Sequence, residues 1–272
     1  MSESNHKELK KVVEYMKAHW PSVVKKEWQV SLEEYPMILQ KVVQDFTKEK
    51  TKTKKFIRIA GLSGSGKTSQ ILPAVEAYCE KNNLKPILVA ARKFVEYHPH
   101  CEEIRKEYGE ENLRKKTGEF STIMMFLTLN ALTKKGYDII LDVTLLDPEV
   151  EQILIKILKE GSYSPLFLMI ATSPTVTEYF LKDRGWRHSK ETEEEIIRAT
   201  SKALEFYAVA TPDLHVILWS VYDLDPIYDG KIKDSLRIFD DYSSRTDLPK
   251  NDDNARRNAK IQYLSESSLA GW

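Results

Sequence analysis

The sequence predicts an α/β protein: a parallel sheet with helices on both faces, plus a helical N-terminal extension. Two observations carry this expectation. Near-continuous apolar runs of strand length alternate with longer segments of helical periodicity, as in a sheet buried on both sides. The first of these runs, "FIRIA" (56–60), leads directly into "GLSGSGKTS" (61–69), which places three of the chain's ten glycines within six residues. Ahead of it stand two helix-like segments. Val12, Val13, Met16 and Trp20 lie at helical spacing before Pro21. "SLEEYPMILQKVVQDF" (31–46) reads as a helix, with Ser31 as N-cap and Glu34 as its capping-box partner. "TKEKTKTKK" (47–55) reads as a solvated basic linker, a charged surface turn rather than a nucleic-acid patch.

The spacing Gly61-x-x-x-x-Gly66-Lys67-Thr68 matches the Walker A loop. Such a loop needs glycines because the backbone must curl with its N–H groups turned inward on a phosphate. The lysine reaches the β- and γ-phosphates, and the threonine hydroxyl ligates Mg²⁺. The following segment, "KTSQILPAVEAYCEKNN", is helical and adds the positive end of its dipole. Pro73 falls early in that helix, where a missing N–H costs least. The expected nucleotide-binding residues are therefore Gly61, Ser63, Gly64, Ser65, Gly66, Lys67, Thr68 and Ser69, and the core is a P-loop NTPase-type parallel sheet that takes ATP or GTP with Mg²⁺.

Further along, "PILVAARKF" (86–94) reads as a buried strand, and "HCEEIRKEYGEENLRKKT" as polar helix. "EFSTIMMFLTLNALTKKG" (119–136) reads as an apolar core helix closed by Gly136. "YDIILDVTL", "PLFLMIATSP" and "DLHVILWSVYD" read as strands, the last of them final. "PEVEQILIKILKEG" and "TVTEYFLKDRGWRHSKETEEEIIRATSKALEFYAVA" read as helices, the second broken near Gly185. The expected organisation is a helical extension over 1–50, a P-loop core over 51–245 with the broken helix near 182–198 above the strand ends, and a polar, weakly patterned tail over 246–272. Ligands of such a sheet sit at the carboxyl ends of its strands. That brings forward Asp142, which ends an apolar strand, and the turn His98-Pro99-His100. Asp142 is the first candidate to share Mg²⁺ with Thr68 and, where a hydroxyl attacks the bound phosphate, to orient it; Glu96 and His98 follow. The bland alternatives are a metal residue with no base role for Asp142 and a purely structural turn for the histidines.

Composition narrows the function. Lys and Arg number 41 and Asp and Glu number 41 in 272 residues, so no bulk charge attracts nucleic acid or an anionic membrane. No apolar run approaches a transmembrane length. Two cysteines, Cys79 and Cys101, without a signal-peptide pattern predict reduced thiols in a cytoplasmic protein.

From about Phe56 to about Leu204 the chain resembles the zeta-toxin family of P-loop kinases. Four ordered stretches carry the resemblance: "GLSGSGKTS", "FVEYHPHCEEIRKEYG", "KTGEFSTIMMFLTLNALTKKGYDIILDVTL" and "LFLMIATSPTVTEYFLKDRG". The resemblance implies a kinase that moves the ATP γ-phosphate to a hydroxyl of a UDP-activated amino sugar, and an antitoxin protein as partner. It also implies that Lys67 and Thr68 hold phosphate and metal, and that Asp142 stands where the family has a glutamate. Thr144 matches a substrate-side threonine and Arg184 a first lid arginine. Arg187 matches a second lid arginine, with Arg198 as competitor. Departures cluster on the acceptor side. Arg92 stands where the family has its catalytic aspartate, Ala90 where many members carry another aspartate, and Val95 and Leu146 where it has arginines. The leading expectation is a small-molecule kinase with a nucleotide-containing acceptor, His98, His100 and Thr144 contacting it and Lys67, Asp142, Arg184 and Arg187 acting in transfer. The competing class is a nucleotide-binding pseudokinase that works through a protein partner. A nucleic-acid kinase is disfavoured by the neutral charge.

Overall fold

In the computed structural model, the structure describes residues 13, 14, 17, 23–62, 64–144, 148–182, 190–245, 247–249 and 252–266, without the side chains of 180–182 and 190–193. The first expected helix lies mostly outside these residues, as do Ser63, Leu146, Arg184 and Arg187. Contacts divide the chain into two compact units, one of residues 1–50 and 87–136, the other of 51–86 and 137–272.

In the second unit, β1 (Lys55–Gly61) pairs in parallel with both β3 (Ile139–Asp142) and β4 (Ser164–Ala171). β5 (His215–Ser220) is parallel to β4. Among the described residues, the strands of this unit lie in the order β3-β1-β4-β5-β6, while β2 (Ile87–Val89) belongs to the first unit. β6 (Tyr228–Lys231) was not expected and runs antiparallel to β5, so the sheet is mixed rather than wholly parallel. Its four residues alternate between half-buried and exposed, which suits a short edge strand and leaves little apolar signal. Asp138, fully buried just before β3, fixes the start of β1. One of its carboxylate oxygens accepts the N–H groups of Thr53 and Lys55, both at 2.8 Å, and the Thr53 hydroxyl at 2.9 Å. The expected basic linker is thus tied down at Thr53 and Lys55.

Helices α2 (Leu72–Lys81), α6 (Pro148–Gly161), α7 (Pro174–Lys182) and α8 (Lys190–Ala210) alternate with these strands. Phe167, Met169, Leu204, Tyr207, Val216 and Phe239 belong to one apolar cluster between β4, β5 and α8. The residues after β6 form α9 (Leu236–Ser243) and α10 (Asp253–Glu266). α10 packs on α2 and on the π-helical turn Lys67–Ile71 that precedes it. Its buried face consists of Arg256, Lys260 and Leu264, so two of its three inward residues are cationic.

In the first unit, α1 (Tyr35–Phe46) begins three residues later than the capping pattern predicts. Glu34 does accept the Ser31 N–H and hydroxyl, each at 2.8 Å, but residues 31–34 form a turn. Pro36 has no N–H to donate and is tolerated only in a first turn, so it sets the start. β2 is only three residues long, and Ala91–Tyr97 form a 3₁₀ helix instead of extending the strand to residue 94. The polar segment after it is two helices, α3 (Cys101–Tyr108) and α4 (Glu110–Lys116). Gly109 separates them at φ 81°, where a Cβ would strike the Glu111 carboxylate. α5 (Gly118–Lys134) is the expected core helix, stacked through Phe120 on Tyr35. Cys79 and Cys101 are both free and buried. No helix among the described residues is long and apolar enough to cross a membrane.

Lys260 is fully buried, and burial, reinforced by the Arg256 charge, lowers its pKa from 10.5 to about 8. Below pH 8 the ammonium is charged in both states and its desolvation opposes folding in full. Between pH 8 and 10.5 the folded chain sheds a proton that the unfolded chain keeps, so stability rises; above that window the penalty is gone. Lys260→Met should therefore be more stable than wild type by roughly 3 kcal/mol at pH 7. Urea denaturation of both chains from pH 7 to 11 should show the difference closing as pH rises.

Candidate functional site: the loop after the first strand

The turn after β1 is built on backbone angles that side chains resist. Gly61, Gly64 and Gly66 have φ of 145°, 78° and 96°. A Cβ on Gly61 would lie 2.9 Å from both the Ile170 carbonyl oxygen and the Ser65 hydroxyl, and one on Gly66 would lie 2.7 Å from the Gln70 amide nitrogen. The spacing of the motif is thus a steric requirement of this turn.

Lys67 folds back across the loop. Its ammonium donates to the Gly61 carbonyl at 2.6 Å and the Leu62 carbonyl at 2.7 Å. The Thr144 hydroxyl, just past β3, donates to the same Gly61 oxygen at 3.1 Å. Asp142 is in register with Ile59 on the adjacent strand and is only 6% exposed. The structure therefore brings Gly61, Lys67, Thr144 and Asp142 together at the carboxyl ends of β1 and β3. Ser65 is buried, and its hydroxyl has no hydrogen-bond partner among the described residues. Thr68 is exposed in the π turn, and Ser69 is half-buried beside it. Pro73 accounts for that turn. Without an N–H it cannot return a bond four residues back, and the Leu72 N–H bonds the Lys67 carbonyl instead.

Gln70 and Asp253 escaped the sequence reading. Gln70, 2% exposed on the π turn, donates its amide to the Asp253 carboxylate at 2.9 Å, and Arg256 reaches the same oxygen at 2.6 Å. The partners lie 183 residues apart, so no local spacing announces them. Arg198 lines a cleft of about 440 Å³ with Thr175, Asp240 and Arg245.

His98 and His100 belong to the first unit. The His98 ring packs edge-on against Phe120 at 4.8 Å and accepts the His100 N–H at 3.1 Å. Burial first, then the neighbouring His100, lowers the pKa of His98 to about 4, which keeps it neutral near pH 7. His100 faces Glu103 at 3.7 Å. Glu96 is paired with Arg105 at 2.7 Å, and that pairing holds its carboxyl below the usual range.

A glycine-rich turn after a central parallel strand, with a carboxylate and a hydroxyl at the end of the neighbouring strand, is the architecture of P-loop kinases. Within that class the zeta toxin profile matches residues 40–232, and the chain belongs to the zeta toxin family. It is 25% identical over 146 residues to toxin PezT of Streptococcus pneumoniae serotype 4, a match covering 53% of this chain and 56% of that protein. The chain thus spans little more than half the length of that relative. A solved structure from the PezAT chromosomal toxin–antitoxin system of Streptococcus pneumoniae superposes with a TM-score of 0.66 at 18% identity, covering 88% of this chain and all of that one. This likeness establishes the shared fold.

Replacing Gly61 by alanine should cost on the order of 1–3 kcal/mol, because its φ and the fixed Ile170 carbonyl both oppose a Cβ. Gly118→Ala, where a Cβ would meet nothing within 4 Å, should be neutral or stabilising by about 0.5 kcal/mol. Chemical denaturation of the two variants checks the contrast.

Proposed function

We propose that the protein is a small-molecule kinase that transfers the ATP γ-phosphate to a hydroxyl of a nucleotide-containing acceptor such as a UDP-sugar. The observation that carries this reading is the Gly61 carbonyl, which the Lys67 ammonium and the Thr144 hydroxyl approach at 2.6 and 3.1 Å. One atom thus joins the group that grips phosphate to the residue that the family places on the acceptor side.

In this reading the loop amides from Gly61 to Ser69 surround the β- and γ-phosphates. Lys67 leaves its two carbonyls to meet the transferring group. Asp142, at the end of β3, orients the acceptor hydroxyl; little basicity is required, because proton transfer contributes little in a loose transition state. The hard oxygen donors of Thr68 and Asp142 suit Mg²⁺, directly or through water. When bound, the ion neutralises charge across the β- and γ-oxygens. Arg184 and Arg187 are assigned to the charge that develops on transfer, with Arg198 as the alternative second arginine. His98, His100 and Thr144 are assigned to the acceptor; for His98 this means a neutral imidazole. The toxin–antitoxin setting of the PezAT structure supports an antitoxin as protein partner. The acceptor departs from the family's amino sugar because Arg92, Ala90, Val95 and Leu146 replace the residues that read and deprotonate it. Arg92 also favours a second reading, a nucleotide-binding pseudokinase acting through a protein partner.

Mass spectrometry of wild type and Lys67→Ala incubated with ATP, Mg²⁺, UDP-sugars, dinucleotides and a metabolite extract separates the two. The expected result is one metabolite that gains a phosphate with wild type only. Arg184→Ala should slow that transfer by roughly 10³–10⁵-fold. ATP binding with no phosphorylated product would instead establish the pseudokinase.

A further inference from the structure

Arg58 sits in the middle of the central strand β1 and is 1% exposed. Its neighbours in the strand, Phe56, Ile57 and Ile59, are apolar and buried. Its guanidinium grips the Glu151 carboxylate of α6 through both terminal nitrogens, one of these bonds at 2.8 Å. The nitrogen that makes the shorter bond also donates to the Tyr207 hydroxyl of α8 at 3.1 Å, and that hydroxyl donates to Glu151 at 2.6 Å. The other terminal nitrogen donates to the Thr144 carbonyl at 3.2 Å. Phe167 lies under the guanidinium, 5.4 Å from ring centre to cation, and meets the Tyr207 ring edge-on at 5.0 Å.

A buried ion pair of this kind adds little stability beyond what well-packed apolar residues of the same volume would give. What such residues could not supply is the bond to Thr144. Its carbonyl is held by Arg58, and its hydroxyl is held by the Gly61 carbonyl that also receives Lys67. A continuous chain of hydrogen bonds therefore runs from α8 and α6, through Arg58 and Thr144, to the P-loop.

We infer that Arg58, Glu151 and Tyr207 are positioning residues that set the height of the Thr144 peptide against the phosphate loop, and so govern transfer to the acceptor rather than binding of nucleotide. The inference rests on the kinase reading for its rate effect, but its structural part stands apart from it. Lysine offers one charged centre and cannot span Glu151 and the Thr144 carbonyl as the planar fork does.

Arg58→Lys is the first variant, with Tyr207→Phe as the milder one should Arg58→Lys not fold. Each would be compared with wild type at equal folded fraction for ATP affinity, for kcat and KM with the acceptor, and for amide hydrogen exchange over residues 142–149. Arg58→Lys should lower kcat by roughly 100-fold, the scale of a misplacement near 1 Å. It should leave the ATP Kd within twofold and speed exchange in that segment. Tyr207→Phe should give a smaller change in the same direction. Combined with Thr144→Ala, Arg58→Lys should cost no more than the worse single variant, because both break one path. An unchanged kcat, or ATP affinity falling in parallel with kcat, would overturn the inference. Should wild type transfer phosphate to no acceptor, the kinase reading fails by itself. Exchange then decides: faster exchange confined to 142–149 with ATP affinity kept supports the network, and unchanged exchange rejects it.

Discussion

The site depends on one carbonyl oxygen. Gly61 is the last residue of β1, and its oxygen receives both the Lys67 ammonium and the Thr144 hydroxyl. That double acceptance is possible because the chain turns at Gly61 with φ 145°, a conformation that glycine alone adopts without strain. β1 in turn pairs with β4 from Lys55 to Gly61 and with β3 from Phe56 to Ile59, so the turn begins from a fixed point. The phosphate loop, the end of β3 and the first turn of the following helix take their positions from this oxygen.

Around it the protein uses buried cations where apolar residues would satisfy the core. Arg58 stands in β1 three residues before Gly61, matched by Glu151, Tyr207 and the Thr144 carbonyl. Arg256 and Lys260 lie in the face of α10 that covers the π turn, where one Asp253 carboxylate oxygen accepts from both Arg256 and Gln70. Each such cation costs desolvation, which is visible in the lowered pKa of Lys260. Arg58 and Arg256 also fix geometry in a way that apolar packing does not, because their hydrogen bonds accept few alternative arrangements. The P-loop is thus bordered by polar contacts that define its position sharply.

These contacts mark the limit of what the sequence discloses. The loop itself is legible because Gly61, Gly64 and Gly66 take positive φ values, a backbone demand that leaves a spacing of glycines in the sequence. The strands were legible because a sheet covered on both faces needs unbroken apolar runs. Within "FIRIA", however, nothing distinguishes a buried arginine from an exposed one, since its partners lie 93 and 149 residues away. α10 went unread for the same reason: its inward stripe is Arg256, Lys260 and Leu264, so apolar periodicity fails where the helix is most buried. β6 is too short and polar to register as a strand. Ser31 and Glu34 do form the hydrogen bonds of a capping box, but Pro36 moves the helix start past them.

The strand order has a kinetic side. β1 is made early in the chain, yet both its neighbours come much later, and the Thr144–Gly61 bond closes a separation of 83 residues. The Tyr207–Arg58 bond closes 149. Contacts so distant along the chain must pay their loop-closure entropy before any pairing energy returns, which slows folding. Until β3 and β4 have docked on either side of β1, the glycine-rich loop has no frame to hold its shape. The glycine-rich turn, encoded within nine consecutive residues, thus owes its shape to contacts as distant as 83 residues along the chain.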